Sequence, residues 1–183
     1  MMSAARFRMD WGKAVESIHY LATIHPGITP FFISKVLYYA DKEHLMDWGR
    51  PVTGDFYVAM ENGPVPSNTY RLVNREASLD DDIIADFDAR VERKDRNLFA
   101  KVPFNAVRLS GSDMECLSQA DELYGHMSFG ALRDLVHKER SWREAWEARY
   151  GMAHPMQMEA MVDDELPERE ELVKEIYEKA AYI

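Results

Sequence analysis

The sequence predicts an α+β fold, mainly α-helical, with helices around a core and a small antiparallel β-sheet. Three observations predict it. Apolar residues recur by threes and fours near both ends and again beyond Ser112, a helical period. The run Asp55 to Met60 is short and rich in aromatic and β-branched residues, as strands are. Asp86 to Phe104 alternates, with Phe87, Ala89 and Val91 in one run and Leu98, Ala100 and Val102 in another. A length of 183 residues suits one domain, or one domain with an appendage.

Asp10 can cap a first helix reaching Ile24, whose stripe is Val15, Ile18, Leu21 and Ala22. Pro26 and Gly27 close it. Thr29-Pro30 then reads as N-cap and first residue of a second helix, with Phe32, Ile33, Val36, Leu37 and Ala40 inward and Gly49 as its stop near Trp48. After the strand at Asp55, Asn62-Gly63-Pro64 supplies turn chemistry and Ser67 to Asn74 a short helix. Arg75 to Asp82 reads as a loop. The alternating run that follows predicts two antiparallel strands joined around Lys94 to Asn97. Ser112 and Glu115 have capping-box spacing for a helix continued by Cys116, Ala120 and Leu123 and ended by Gly125. Ser128 caps the next, which carries Phe129, Leu132, Leu135 and Val136 toward Trp142, Ala145 and Trp146. Leu166-Pro167 opens a last helix with the stripe Leu172, Val173, Ile176, Tyr177 and Ala180.

Between these helices, Gly151 to Asp164 gathers Met152, Met156, Met158 and Met161, four of the chain's eleven methionines. Flexible thioethers suit either gap-filling in a core or an adaptable binding surface. The organisation expected is a domain over residues 1–150, followed at 151–183 by a Met-rich connector and an acidic helix packed on it. That helix has Glu168, Glu170 and Glu171 where the macrodipole favours anions. Glu170 to Lys174 and Glu175 to Lys179 are spaced for pairs worth about 0.2–0.5 kcal/mol each. Glu159 to Ile183 holds nine acids and three bases, so this segment carries −6 of the net −10. It is either a solvated face or a docking surface for a basic partner.

Charge and composition exclude several classes. With 22 basic against 32 acidic side chains and a pI near 5.1, the balance argues against a protein held to nucleic acid mainly by phosphate contacts. Hydrophobic residues at 46% are enough for a core, while no run approaches a membrane span or a secretory leader, so a cytoplasmic protein is expected. A single cysteine, Cys116, excludes an internal disulfide and reads as a buried, inert thiol. Walker A, Rossmann and nucleophile-elbow patterns are missing, as is His-Glu-x-x-His, and the isolated His137-x-Glu139 lacks the cysteine pair a zinc deaminase needs. No catalytic, cofactor or metal site is therefore expected. Two alternatives stay open: an enzyme with an unrecognised site around His137, Glu139 and Asp41, and a DNA-binding regulator using Arg133, Lys138, Arg140 and Arg143.

Two blocks carry a resemblance. The first runs from Lys35-Val-Leu-Tyr-Tyr-Ala-Asp through His44-Leu and Gly49-Arg-Pro-Val-Thr to Phe56-Tyr-Val-Ala-Met-Glu-Asn-Gly-Pro-Val. The second joins Tyr124-Gly, Ser128, Leu132 and Leu135 to His137-Lys-Glu and Trp142-Arg-Glu-Ala. Over about residues 10–150 the chain resembles the Panacea domain of phage-associated proteins and SocA-type antitoxins, departing from it at Arg140-Ser141, where a Gly-Pro pair is common. The resemblance implies an antitoxin that binds and neutralises a cognate protein toxin, and an adaptor that delivers it to an AAA+ protease such as ClpXP (ClpX with ClpP). It implies no cofactor, no membrane and no enzymatic activity. The residues singled out for partner binding are Tyr38, Tyr39 and Asp41 on the second helix, with Glu170 and Glu171 in the tail.

Overall fold

A computed structural model describes residues 5–148 and 154–181. Its first half follows the caps legible in the chain. Helix α1 (Trp11–Ile24) starts where the Asp10 carboxylate accepts from the Lys13 N–H at 2.9 Å. Helix α2 (Pro30–Trp48) ends on Gly49, whose left-handed φ of 64° lets its N–H reach the Leu45 carbonyl. Strand β1 (Tyr57–Met60) and strand β2 (Gly63–Pro66) form a hairpin around Glu61-Asn62, in register Met60 with Gly63. Gly63, at φ 104°, lies so close to Val136 that a Cβ there would sit 2.5 Å from its Cγ2. Asn62-Gly63-Pro64 thus supplies the turn, and its last two residues also begin a strand. Helix α3 (Ser67–Val73) follows.

Residues 81–104 depart from expectation. Asp81–Arg90 form helix α4, not strand, and only then come strands β3 (Val91–Lys94) and β4 (Asn97–Ala100), joined at Asp95-Arg96. The alternation of Phe87, Ala89 and Val91 misled because Ile83, Ile84 and Phe87 also fit helical spacing. Asp81 and Asp82 favour a helix N-terminus electrostatically. Two separate antiparallel sheets result: β3-β4, and a three-stranded sheet of order β2-β1-β5, where β5 is His154–Pro155.

Helix α5 (Gly111–Ala120) has its capping box at Ser110 and Asp113, two residues before the expected pair, and runs into a π-turn over Asp121–Gly125. Ser128 caps helix α6 (Phe129–Val136) as expected. Helix α7 (Arg140–Ala148) brings Trp142 onto β1, where its indole N–H donates to the Met60 carbonyl at 3.0 Å. A 3₁₀ turn at Met158–Met161 precedes helix α8 (Arg169–Ala181), whose Ile176 is fully buried. Lys179 of α8 donates to the Trp48 carbonyl at 2.7 Å, which ties the tail to the end of α2. Met156, Met158 and Met161 are core residues, which is the gap-filling reading; Met152 lies outside the described residues. Among the described residues no helix is long and apolar enough to cross a membrane.

Helix α2 is the hub. It packs on α5, β2 and the π-turn, and from Ile33 to Asp41 every residue is buried. Irregular segments are fastened by buried carboxylates. Glu16 of α1 accepts from the N–H groups of Val107, Arg108 and Leu109 at 2.9–3.2 Å. Asp55 accepts from those of Phe56, Asn68 and Thr69 at 2.7–3.0 Å, joining β1 to the start of α3. Replacing Glu16 by Ala removes the acceptor of three backbone donors, of which that of Leu109 is buried, and an unsatisfied buried group costs about 1–3 kcal/mol. Glu16→Ala should therefore lose about 1–3 kcal/mol of unfolding free energy, read as a lower urea midpoint, and hydrogen exchange should quicken first at residues 107–109. An unchanged midpoint would refute the clamp.

Candidate interaction site

Of the three residues singled out on α2, two face inward. Asp41 is fully buried and accepts from the Val52 N–H at 2.6 Å and from the Tyr57 hydroxyl at 2.7 Å. Burial pushes its carboxyl up to about 6, against the two hydrogen bonds that favour the ionised form. Tyr38 is also fully buried. Its hydroxyl lies 2.8 Å from Ser141 Oγ and donates to Glu139 at 3.3 Å, so it joins α2 to the start of α7. Tyr38 and Asp41 hold loops and helices together and present no surface to a partner.

Tyr39 sits at the edge. Its ring stacks on Tyr124 at 3.8 Å, and its buried hydroxyl has no hydrogen-bond partner. It lines a cleft of about 250 Å³ with Lys42, Glu43, Glu139, Tyr124 and Asp163. Lys42 bridges Glu139 and Asp163 there, both at 2.7 Å. Burial and the nearby Glu139 raise the Tyr39 hydroxyl well above its ordinary range, so it stays protonated and available as a donor. Cys116 borders the same cleft, with burial and neighbouring carboxylates pushing its thiol up to about 11, the inert state expected from sequence.

In the tail, Glu170 and Glu171 lie in the first turn of α8; Glu171 is exposed and borders a surface groove with Asp47, Glu168 and Glu175. Lys179 pairs with Glu175 at 2.5 Å as the spacing suggested, whereas Lys174 turns to Glu178 at 3.9 Å instead of to Glu170. The tail groove and the Tyr39 cleft adjoin at Met46, and Asp47 of the one acts electrostatically on Glu43 of the other.

The structure does not assemble His137, Glu139 and Asp41 into one constellation. His137 stacks on Trp142 at 4.0 Å and meets the Glu61 carbonyl at 3.0 Å, while Glu139 serves Lys42 and Tyr38. The basic strip is also broken. Arg133 pairs with Asp134 at 2.8 Å, and Arg140 pairs with Asp164 at 2.7 Å and caps the carbonyls of Ala160 and Val162.

The feature sequence reasoning missed is a second cleft, of about 500 Å³, between the start of α2, the β1-β2 hairpin, α3 and the β3-β4 turn. Phe31, Phe32, Tyr70 and Phe129 give it apolar walls, of which Phe129 and Tyr70 are exposed to solvent. Lys35 lies in its floor, 1% exposed, donating to the Pro64 carbonyl at 2.9 Å with Nζ 4.9 Å from the Phe31 ring centre. Phe31 and Phe32 carried a signal, an apolar pair at a helix start, but only Phe32 fits the inward stripe. Nothing in the chain order places Phe129 or Arg96 beside them.

Burial lowers the Lys35 amine to about 7. An unfolded chain protonates it near 10.4, so between pH 7 and 10 the unfolded state binds the extra proton and stability rises with pH. Below pH 7 both states carry the charge and its full cost is present. Lys35→Met should thus raise stability at pH 7 by up to about 4 kcal/mol, less the loss of the Pro64 bond, and flatten the rise between pH 7 and 10. Denaturant melts at pH 7, 8.5 and 10 read this directly; equal slopes in both proteins would contradict it.

The description of the family whose sequence profile matches residues 33–143 is "Antitoxin SocA-like, Panacea domain". That span begins inside α2 and ends inside α7, so it includes the buried Tyr38-Asp41 network, the hairpin and most of the Phe129 cleft. Neither the curated proteins nor the solved structures compared with the chain gave a match. With more than half of its length matched, the chain belongs to the SocA-like antitoxin family of Panacea-domain proteins.

Proposed function

We propose that this protein is the antitoxin of a toxin-antitoxin pair, that it neutralises a cognate protein toxin by binding it directly, and that it also delivers the bound toxin to an AAA+ protease of the ClpXP kind. Membership of the antitoxin family carries the reading. Two features of the molecule support it. Its interior acids are spent on fastening backbone: Glu16, Asp41 and Asp55 all accept from main-chain N–H groups. Its surface, in contrast, offers recognition elements of different chemistry: an aromatic cleft at Phe129, a donor-lined acidic cleft at Tyr39 and an acidic tail bearing Glu170 and Glu171. A toxin and a protease component can then occupy different faces, which an adaptor requires. Glu170 and Glu171 are the tail residues assigned to the basic partner.

Coexpression with the product of the adjoining gene tests the first claim. Growth should recover and the two proteins should copurify; persistent toxicity without copurification ends the antitoxin reading. Delivery makes a stricter demand. The half-life of the partner should shorten when this protein and ClpXP are both present, and Glu170→Lys/Glu171→Lys should restore the long half-life while copurification persists. A partner bound yet equally long-lived would leave sequestration alone.

A further inference from the structure

We infer that the cleft between Phe31, Tyr70 and Phe129 is the toxin-docking groove, and that it takes a peptide segment combining a bulky apolar side chain with carboxylates. This rests on the reading of the chain as a toxin-binding protein and names the surface and the chemistry. At about 500 Å³ the cleft holds one or two large side chains. Phe31 packs on Phe32 at 5.2 Å and on Phe129 at 4.4 Å, leaving a continuous aromatic wall open to solvent. Walls of this kind are where anchoring side chains concentrate binding energy.

Charge selects the occupant. The chain carries −10, yet the cleft is lined by the exposed Arg93 and Arg96 against the single acid Glu61. Arg93 donates to the Asp95 and Val73 carbonyls and the Asn74 amide oxygen, Arg96 stands exposed, and neither is held by a carboxylate among the described residues. The N-terminus of α2 borders the same place: Thr29, Pro30, Phe31 and Phe32 line the cleft, Thr29 makes no side-chain cap and the first turn holds no acid, so the positive end of a 19-residue helix lies beside it. An apolar wall with a positive end matches an acidic and apolar segment. Nucleic acid would also supply anions and rings, and the test separates it.

The experiment titrates the ¹⁵N-labelled full chain with three probes: the capped peptide Asp-Phe-Asp-Leu-Glu, its lysine counterpart Lys-Phe-Lys-Leu-Lys, and oligothymidylate. Saturable shifts confined to the amides around Phe31, Tyr70, Arg96 and Phe129, given by the acidic peptide and weakened about tenfold in Arg96→Glu, are expected. Arg96 makes no side-chain hydrogen bond or ion pair among the described residues, so this variant should keep the parent melting temperature. Equal binding of the lysine peptide, preference for oligothymidylate, shifts elsewhere or no saturation would each overturn the groove. In the coexpression assay Arg96→Glu/Phe129→Ser should lose neutralisation. If that variant protects as well as the parent, the groove is wrong while the antitoxin reading stands. If the parent itself fails to protect, the antitoxin reading falls and the titration alone decides the groove.

Discussion

The fold depends on carboxylates buried among backbone N–H donors. Glu16, Asp41, Asp55 and Asp113 come from α1, α2, the entry to β1 and α5, and all four are buried. Each meets donors on a segment that has no ladder of its own to satisfy it. Removing an ion from water costs several kcal/mol, and only several hydrogen bonds to the charge, at about 1.5–3 kcal/mol each, offset that. Asp113 marks the favourable extreme. Burial alone would raise its carboxyl, but hydrogen bonds from His44, Lys13 and Ser110 outweigh burial and hold it far below the usual carboxylate range. Asp41, with two donors, stays on the raised side. Asp55, with N–H donors from Phe56, Asn68 and Thr69, also stays raised, so what sets Asp113 apart is the cations beside it, Lys13 and Arg50.

This arrangement explains how a domain with two small sheets keeps its long connections in place. Residues 49–56 hang on Asp41, where Val52 N–H is captured beside the Tyr57 hydroxyl, and residues 107–110 hang on Glu16 and Asp113. Helix α2 can consequently lie buried through its middle while carrying Ser34, Lys35, Asp41 and His44 inward. Lys35 is the exception that burial does not repay: one carbonyl bond and an aromatic contact stand against the loss of its hydration. Its cost falls at the floor of the aromatic cleft, which is the groove proposed for docking.

Much of the architecture is local, and so was legible in order. The mainly helical α+β class, the Asp10 and Ser128 caps, Pro30 at the start of α2, Gly49 at its end and the hairpin turn near Lys94 all follow from side-chain chemistry within four residues of the backbone they act on. The two motif blocks that pointed to the Panacea family are local in the same sense. Where a segment satisfied two periods, as at Ile83 to Val91, its order could not decide, and packing of Phe87 into the core chose the helix. The capping box slipped by two residues because Ser110 and Ser112 both fit, and Asp113 was fixed by Lys13 from α1. What only the tertiary structure decided is the direction of each polar side chain. Tyr38 and Asp41 read as edge residues on a helical wheel, but Ser141, about a hundred positions away, and Tyr57 close over them. The Phe129 cleft joins residues from Thr29 to Phe129, and periodicity, which reports which face of one element is apolar, carries no information about which faces of separate elements meet.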